Sequence, residues 1–315
     1  MSLPKISIVG AGQVGATVAH LLLLKGLADL VLIDVVEGLA AGKALDLTQA
    51  AAIEGSTVRV TGTSDYAAMA GSRVVVVTAG LARKPGMSRE DLLAANAAIV
   101  GPIADHIARV APQAIVIVVT NPLDVMTALV LKQSWFPRHR VMGMAGVLDS
   151  GRLRAFLAER LHAAPATIQA TVLGSHGDLM VPIKDSITVN GTRLDRLLST
   201  QEVEQLLIRT RDAGAEIVSL LKQSSAFYAP ASGVAQMITA IVQDEHRVLP
   251  ATAWLEGEYG LTDVCLGVPV ELAAEGITRI VDVSLTDEER QALHQAADQV
   301  REGIKQLRAV TPRSA

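Results

Sequence analysis

The 315-residue chain sets 28 Lys and Arg against 32 Asp and Glu, for a formal charge of −4, and half of its residues are hydrophobic. That composition can bury a sizeable core, which excludes a disordered chain. No basic block offers a footprint for nucleic acid or an anionic membrane, and no apolar run reaches the roughly 18 residues a spanning helix needs.

At the start, "MSLPK" runs straight into "ISIVG" without the cationic stretch, apolar stretch and cleavage site of a secretory signal, so the reading is a cytoplasmic protein. Through residue 145 the chain yields short unbroken apolar runs: "KISIVG", "DLVLID", "TVRVTG", "RVVVVTAG", "AIVIVVTN" and "RVMGM". Runs of this kind suit strands buried on both faces. Helical stretches lie between most of them, over 13–25, 37–51, 89–109 and 122–134. Strand–helix alternation predicts an α/β fold in which residues 1–145 form a Rossmann-type doubly wound parallel sheet.

From residue 146 the pattern changes to a mixed α+β domain, 146–315. It opens with a helix over 148–161, followed by strand-like "ATIQATVLG" and a hairpin, "SITVNGTRL", turning at Asn-Gly. Helices near 200–222 and 231–243, further strands and a last helix over 286–309 complete it. With no low-complexity linker between the halves, they are expected to pack closely around a cleft. The lone Cys265, in apolar "DVCLGVPV", reads as a small core residue.

Three motifs carry chemistry. "GAGQVG" (Gly10, Ala11, Gly12, Gln13, Val14, Gly15) follows the first strand and opens the first helix. Gly10 permits a tight turn, Gly12 lets a pyrophosphate approach the backbone, Gly15 allows close helix–strand packing, and the helix N-terminus offers free N–H groups. Asp34, about twenty residues on, can accept from ribose hydroxyls and would repel a 2′-phosphate, which favours NAD over NADP. A purely structural turn, or the glycine-rich turn of a methyltransferase using S-adenosylmethionine, fits the same spacing. "VTNPLD" places Val119, Thr120 and Asn121 at the carboxyl edge of the sheet, where Asn121 could bond a substrate oxygen and its backbone the nicotinamide. An Asn-Pro pair also starts ordinary helices, with Pro122 at the first helical position. The third set is Asp149 and Arg152 in "LDSGRLR", three apart on one helix face, with His176 in "GSHGD". A histidine in a glycine-flanked loop suits proton transfer near neutral pH, with a carboxylate to fix its tautomer. No metal is part of this reading.

Taken in order, "ISIVGAGQVG", "TAGLARKPGMSREDLL", "VTNPLDVMT", "MGMAGVLDSGRLR", "GSHGD" and "LEGEYGLTDVCLGVPVEL" resemble the lactate/malate dehydrogenase family over almost the whole chain. The resemblance implies that His176 exchanges the proton, Asp149 orients it, and Arg152 holds the substrate's C1 carboxylate in a bidentate clamp. It also implies that Arg89 polarises the reacting carbonyl, that Asn121 bonds its oxygen, and that Asn96 contributes a cofactor or substrate contact. Arg83, six residues before Arg89, stands where the lactate enzymes resemble one another in a neutral glutamine. A cation there implies a second carboxylate on the substrate, hence malate and oxaloacetate. Gly80, Pro85 and Gly86 suit a loop that closes. An L-lactate or other 2-hydroxyacid dehydrogenase is the nearest alternative, and a non-catalytic NAD-binding sensor a further one. Family members of this kind are homodimers or homotetramers, and the faces near 40–52 and 148–161 would suit subunit contacts. Ser175 and Ser224 depart from glycines usual in the family, and Ser225 is a candidate substrate contact.

Overall fold

The structure, a computed structural model, describes residues 3–82, 86–222 and 224–310. In chain order the first half runs β1 (Lys5–Val9), α1 (Gln13–Leu24), β2 (Asp29–Ile33), α2 (Leu39–Ile53), β3 (Val60–Thr63), β4 (Val74–Val77), α3 (Arg89–Val110), β5 (Ile115–Val118), α4 (Leu123–Ser134) and β6 (Val141–Gly143). These six strands pair parallel in the order β3-β2-β1-β4-β5-β6, reversing direction of winding between β1 and β4. Parallel pairing of adjacent strands demands helical crossovers, and helices on both faces are why "VVVV" of β4 and "IVIV" of β5 are buried at every position. Each fully buried branched side chain there, such as Ile8 or Ile117, contributes about 2 kcal/mol.

The second half continues with α5 (Gly146–Leu161), β7 (Ile168–Gln169), β8 (Val172–Gly174), β9 (Met180–Pro182), β10 (Thr188–Val189), β11 (Thr192–Arg193), α6 (Thr200–Leu221), α7 (Tyr228–Val242), β12 (Arg247–Glu256), β13 (Thr262–Ala273), β14 (Gly276–Ile280) and α8 (Asp287–Val310). Its strands do not form a separate layer. β12 pairs antiparallel with β6 through Thr252 and Gly143, so the parallel sheet extends through β12, β13, β8 and β9. One apolar core therefore spans both halves, and a smaller one lies under α5 and α6 around Leu153, Leu157 and Leu207.

Two local expectations are corrected. "ATIQATVLG" is not one strand. It breaks at Ala170–Thr171, where β7 joins a small sheet with β10 and β11 while β8 joins the main one. On α5, Leu153 and Leu157 face the core, while exposed Ala155 lies with Val147, Leu148 and Gly151 along a surface groove; on α2, Leu45 and Ile53 are exposed. Pro122 caps α4 rather than entering it, after a cis Asn121–Pro122 bond. The hairpin turn at Asn190–Gly191 forms as expected, both residues at positive φ (50° and 76°), the twist that matches paired strands.

Candidate active site and cofactor cleft

The glycine-rich turn is shaped by close approach. Gly10 has φ 105°, and a Cβ there would lie 2.5 Å from the Ala79 nitrogen; at Gly15 it would lie 2.0 Å from the Gly10 carbonyl oxygen. Only glycine fits either place. Gly12 differs: it is the N-cap of α1, has no side-chain cap, and a Cβ there would meet nothing within 4 Å. Gly10 and Gly15 hold the turn and Gly12 keeps a cradle open before a helix N-terminus, the arrangement a pyrophosphate needs.

Asp34 ties that turn to β2, accepting from the Ala11 N–H (2.7 Å) and the Val36 N–H (2.9 Å), at the mouth where a ribose would lie. Two residues that the motifs do not single out also brace the turn. Thr78 Oγ1 donates to the Gly10 carbonyl at 2.8 Å, and Lys43 Nζ reaches the Gly12 carbonyl at 3.3 Å. Their signal is faint, since each lies on a neighbouring element far from the motif in sequence.

A cleft of about 640 Å³ runs from Gly12, Gln13, Val14 and Gly15 past Val119, Thr120 and Asn121 to Arg152 and His176. A second, of about 490 Å³, runs from His176 and Asn121 to Arg89 and Asp178, along one side of α8. His176 and Asn121 line both. Ser224 and Ser225 border the first cleft.

His176 lies in the turn after β8, between Gly174 and Gly177, both at positive φ. Its Nδ1 meets Asp149 Oδ2 at 2.9 Å. Asp149 is in the first turn of α5, buried, where the helix dipole favours an anion. Burial opposes a charged imidazole, but the attraction and hydrogen bond of Asp149 outweigh it, so the pKa of His176 is held above the ordinary histidine range.

Arg152, one turn further along α5 and 12% exposed, stands 3.5 Å from Asp149 Oδ1, too far for a good hydrogen bond. Among the described residues, Asp149 Oδ1 and Arg152 Nε consequently lack hydrogen-bond partners. Burial weakens the guanidinium's hold on its proton, against the pull of Asp149. A buried cationic fork left so weakly paired is suited to an incoming carboxylate.

Beneath the histidine lies a carboxylate that the motifs do not mark as functional. Asp124, in the first turn of α4, is buried and accepts from Thr252 Oγ1 on one oxygen (2.7 Å). Its other oxygen accepts from Ser175 Oγ (2.7 Å) and from the His176 N–H (3.3 Å). An acid three residues after Asn121 reads in sequence as an ordinary first-turn residue.

Asn96 is fully buried, and its amide is used by backbone: Nδ2 donates to the carbonyls of Leu81 and Asn121 (3.1 and 2.6 Å), and Oδ1 accepts from the Leu81 N–H (2.7 Å). It clasps the loop after β4 to the loop after β5, behind the cleft rather than in it. Arg89 is the first residue of α3, fixed by the Ser88–Asp91 capping box, and its guanidinium pairs with Asp178 at the rim. Arg83, with Lys84 and Pro85, lies outside the described residues.

The residues match two family models end to end: lactate/malate dehydrogenase, NAD binding domain, over 4–143, and lactate/malate dehydrogenase, alpha/beta C-terminal domain, over 146–311. The chain belongs to the lactate/malate dehydrogenase family. Among family relatives, it is 50% identical to a malate dehydrogenase of Nostoc punctiforme over 98% of this chain and 94% of that one. It is 48% identical to a malate dehydrogenase of Methanosarcina mazei over 96% and 99%. Among solved structures, malate dehydrogenase from Cryptosporidium parvum superposes with a TM-score of 0.95 at 39% identity, covering 98% of this chain and 99% of that one. Lactate dehydrogenase from the same organism, solved with lactic acid and nicotinamide adenine dinucleotide, superposes at 0.94 with 37% identity and 98% coverage of both. The backbone is thus common to both branches of the family, and side chains have to separate them.

Proposed function

We propose that this protein is an NAD-dependent dehydrogenase that interconverts (S)-malate and oxaloacetate. The observation that carries the reading is the cluster of Asp149, His176 and Arg152 at the end of a cleft that begins at the open Gly12 cradle. Sequence relatives at about 50% identity, named malate dehydrogenases, support the malate branch.

NAD, when bound, supplies the hydride acceptor or, reduced, the donor. The chain's own residues do the rest. Gly12 and the first turn of α1 would hold the pyrophosphate, and Asp34 the ribose, its carboxylate repelling a 2′-phosphate. Arg152 takes the C1 carboxylate through its planar fork, and the Asn121 amide bonds the C2 oxygen. Arg89, released from Asp178, polarises that carbonyl as charge builds on its oxygen. In reduction, protonated His176 gives its proton to the oxygen; in oxidation, neutral His176 removes it, and Asp149 keeps the tautomer fixed in both. Arg83 pairs with the distal carboxylate, whereas pyruvate would leave it enclosed and unpaired, costing on the order of several kcal/mol. Cytoplasmic location and a homodimer or homotetramer belong to the same reading, with the exposed Leu45 and Ile53 of α2 available for a subunit contact.

The deciding experiment is kcat/KM for oxaloacetate and pyruvate with NADH, in the wild type and Arg83→Gln. A preference for oxaloacetate of about 10³ that collapses in the variant is expected. Turnover of pyruvate with Arg83 intact would make the protein a lactate-type enzyme, and NADH binding without either turnover would leave a sensor.

A further inference from the structure

Ser175, next to His176 in the chain, is hydrogen-bonded to a carboxylate that the proton-transfer chemistry above does not use. Asp124 receives three donors from three places: Thr252 on β12, the Ser175 hydroxyl, and the backbone N–H of His176 itself. Burial pushes the Asp124 carboxyl above the ordinary carboxylate range, while the three donors and the nearby imidazole pull it back toward the anion, and one of those donors belongs to the residue that must carry a proton. Removing Thr252 or Ser175 would cost a hydrogen bond; removing the charge would change what His176 senses.

We propose that Asp124 is a positioning residue for His176: it pins the histidine loop by its backbone and supplies a second buried negative charge that favours the protonated imidazole. The proposal rests on His176 being the proton-transfer group. Asp149 acts on the ring nitrogen, and Asp124 acts from below, through the backbone and through space. Among the described residues, the remaining charges around the histidine are Arg152 on α5, and Arg89, Glu90, Asp178, Arg211 and Glu302 lining the two clefts. Arg152 opposes protonation; the ion pair Arg89–Asp178 is largely exposed and screened. Around Asp124 itself, the buried Cys265 thiol on β13 is pushed well up, first by burial and then by this carboxylate, so it stays neutral.

Asp124→Asn isolates the charge from the geometry. An asparagine can place its oxygen where Oδ2 accepts from Ser175 and His176, and its amide where it donates to the Thr252 hydroxyl, which can accept as well as donate. Every contact survives and only the charge is lost. The test is the titration of His176 in the free enzyme, followed by NMR of ¹³C-histidine-labelled protein, alongside the pH profile of oxaloacetate reduction. In the variant the His176 midpoint is expected to move to lower pH, and kcat/KM for oxaloacetate at alkaline pH to fall about tenfold or more while the NADH dissociation constant is unchanged. An unmoved midpoint in a folded variant overturns the proposal, because a purely structural Asp124 would be replaced without consequence. If the variant does not fold, the ¹³C carboxyl shift of Asp124 in the wild type decides: it must be that of an ionised carboxylate throughout the histidine titration, and a protonated signal overturns the idea. The NMR titration needs no turnover, so an enzyme inactive on oxaloacetate would sink the functional reading without touching this one.

Discussion

Arg89 donates from Nη2 to Asp178 Oδ2 at 2.5 Å, at the rim of the histidine cleft, with both side chains mostly in solvent. An arginine that polarises a carbonyl must leave this partner, so Asp178 competes with substrate for it. Exposed ion pairs are weak, so Asp178→Asn is expected to lower KM for oxaloacetate only about two- to fivefold, with kcat little changed. Arg89→Leu should instead reduce kcat by about 10²-fold or more. Steady-state kinetics at two salt concentrations would check both; a higher KM in Asp178→Asn would show that the carboxylate helps to build the pocket directly.

With His176 as the proposed proton-transfer group, pH sets the favoured direction of the reaction. Its pKa is raised, because Asp149 outweighs burial. Oxaloacetate binding that needs the protonated imidazole is therefore complete below the ordinary histidine range and is lost as pH rises through the elevated value. Malate oxidation, which needs the neutral ring, should gain over the same interval. Stopped-flow rates across pH 6–10 would show the two limbs, and an oxaloacetate affinity flat over that interval would count against His176. Asp149→Asn should lower the midpoint and reduce kcat/KM by about 10²–10⁴.

These residues differ in how plainly the sequence displays them. Strands covered by helices on both sides leave unbroken apolar runs, so β1, β2, β4 and β5 are legible, and the glycine-rich turn announces the cleft that follows. Antiparallel continuation of the sheet through β12 leaves no such mark, because Thr252 pairs with Gly143 across more than a hundred residues. The break in "ATIQATVLG" is equally hidden: Ala170 and Thr171 carry no turn signal, and only packing sends β7 and β8 to different sheets. Asp124 and Asn96 sit in ordinary-looking helical contexts, and burial alone gives them their roles. Asp149, Arg152 and His176 are legible because the chemistry proposed for them, proton transfer and carboxylate binding, calls for particular residue types.

Two glycines of the turn make separable predictions. Gly15→Ala puts a carbon 2.0 Å from the Gly10 carbonyl and should lower the melting temperature as well as abolish cofactor binding. Gly12→Ala meets nothing, so stability should be close to wild type while NADH affinity falls about tenfold or more, its methyl group filling the cradle. Calorimetry paired with NADH fluorescence titration would separate the effects. Unchanged NADH affinity in Gly12→Ala would show that the cradle is not where the pyrophosphate lies.

Arg152 is the sharpest test of substrate geometry. Its side chain is 12% exposed, its Nε lacks a hydrogen-bond partner among the described residues, and its contact with Asp149 is 3.5 Å. The protein keeps this buried cation without fully pairing it, which is costly unless a ligand completes the fork. Arg152→Lys retains the charge beside Asp149 and loses the planar pair of donors. The loss of one charge-assisted hydrogen bond is worth about 1.5–3 kcal/mol, so KM for oxaloacetate should rise about 10- to 150-fold. NADH affinity and melting temperature should stay near wild type, because neither depends on the fork. If lysine instead left KM unchanged and weakened NADH, Arg152 would belong to the cofactor side of the cleft, and the C1 carboxylate would need another partner.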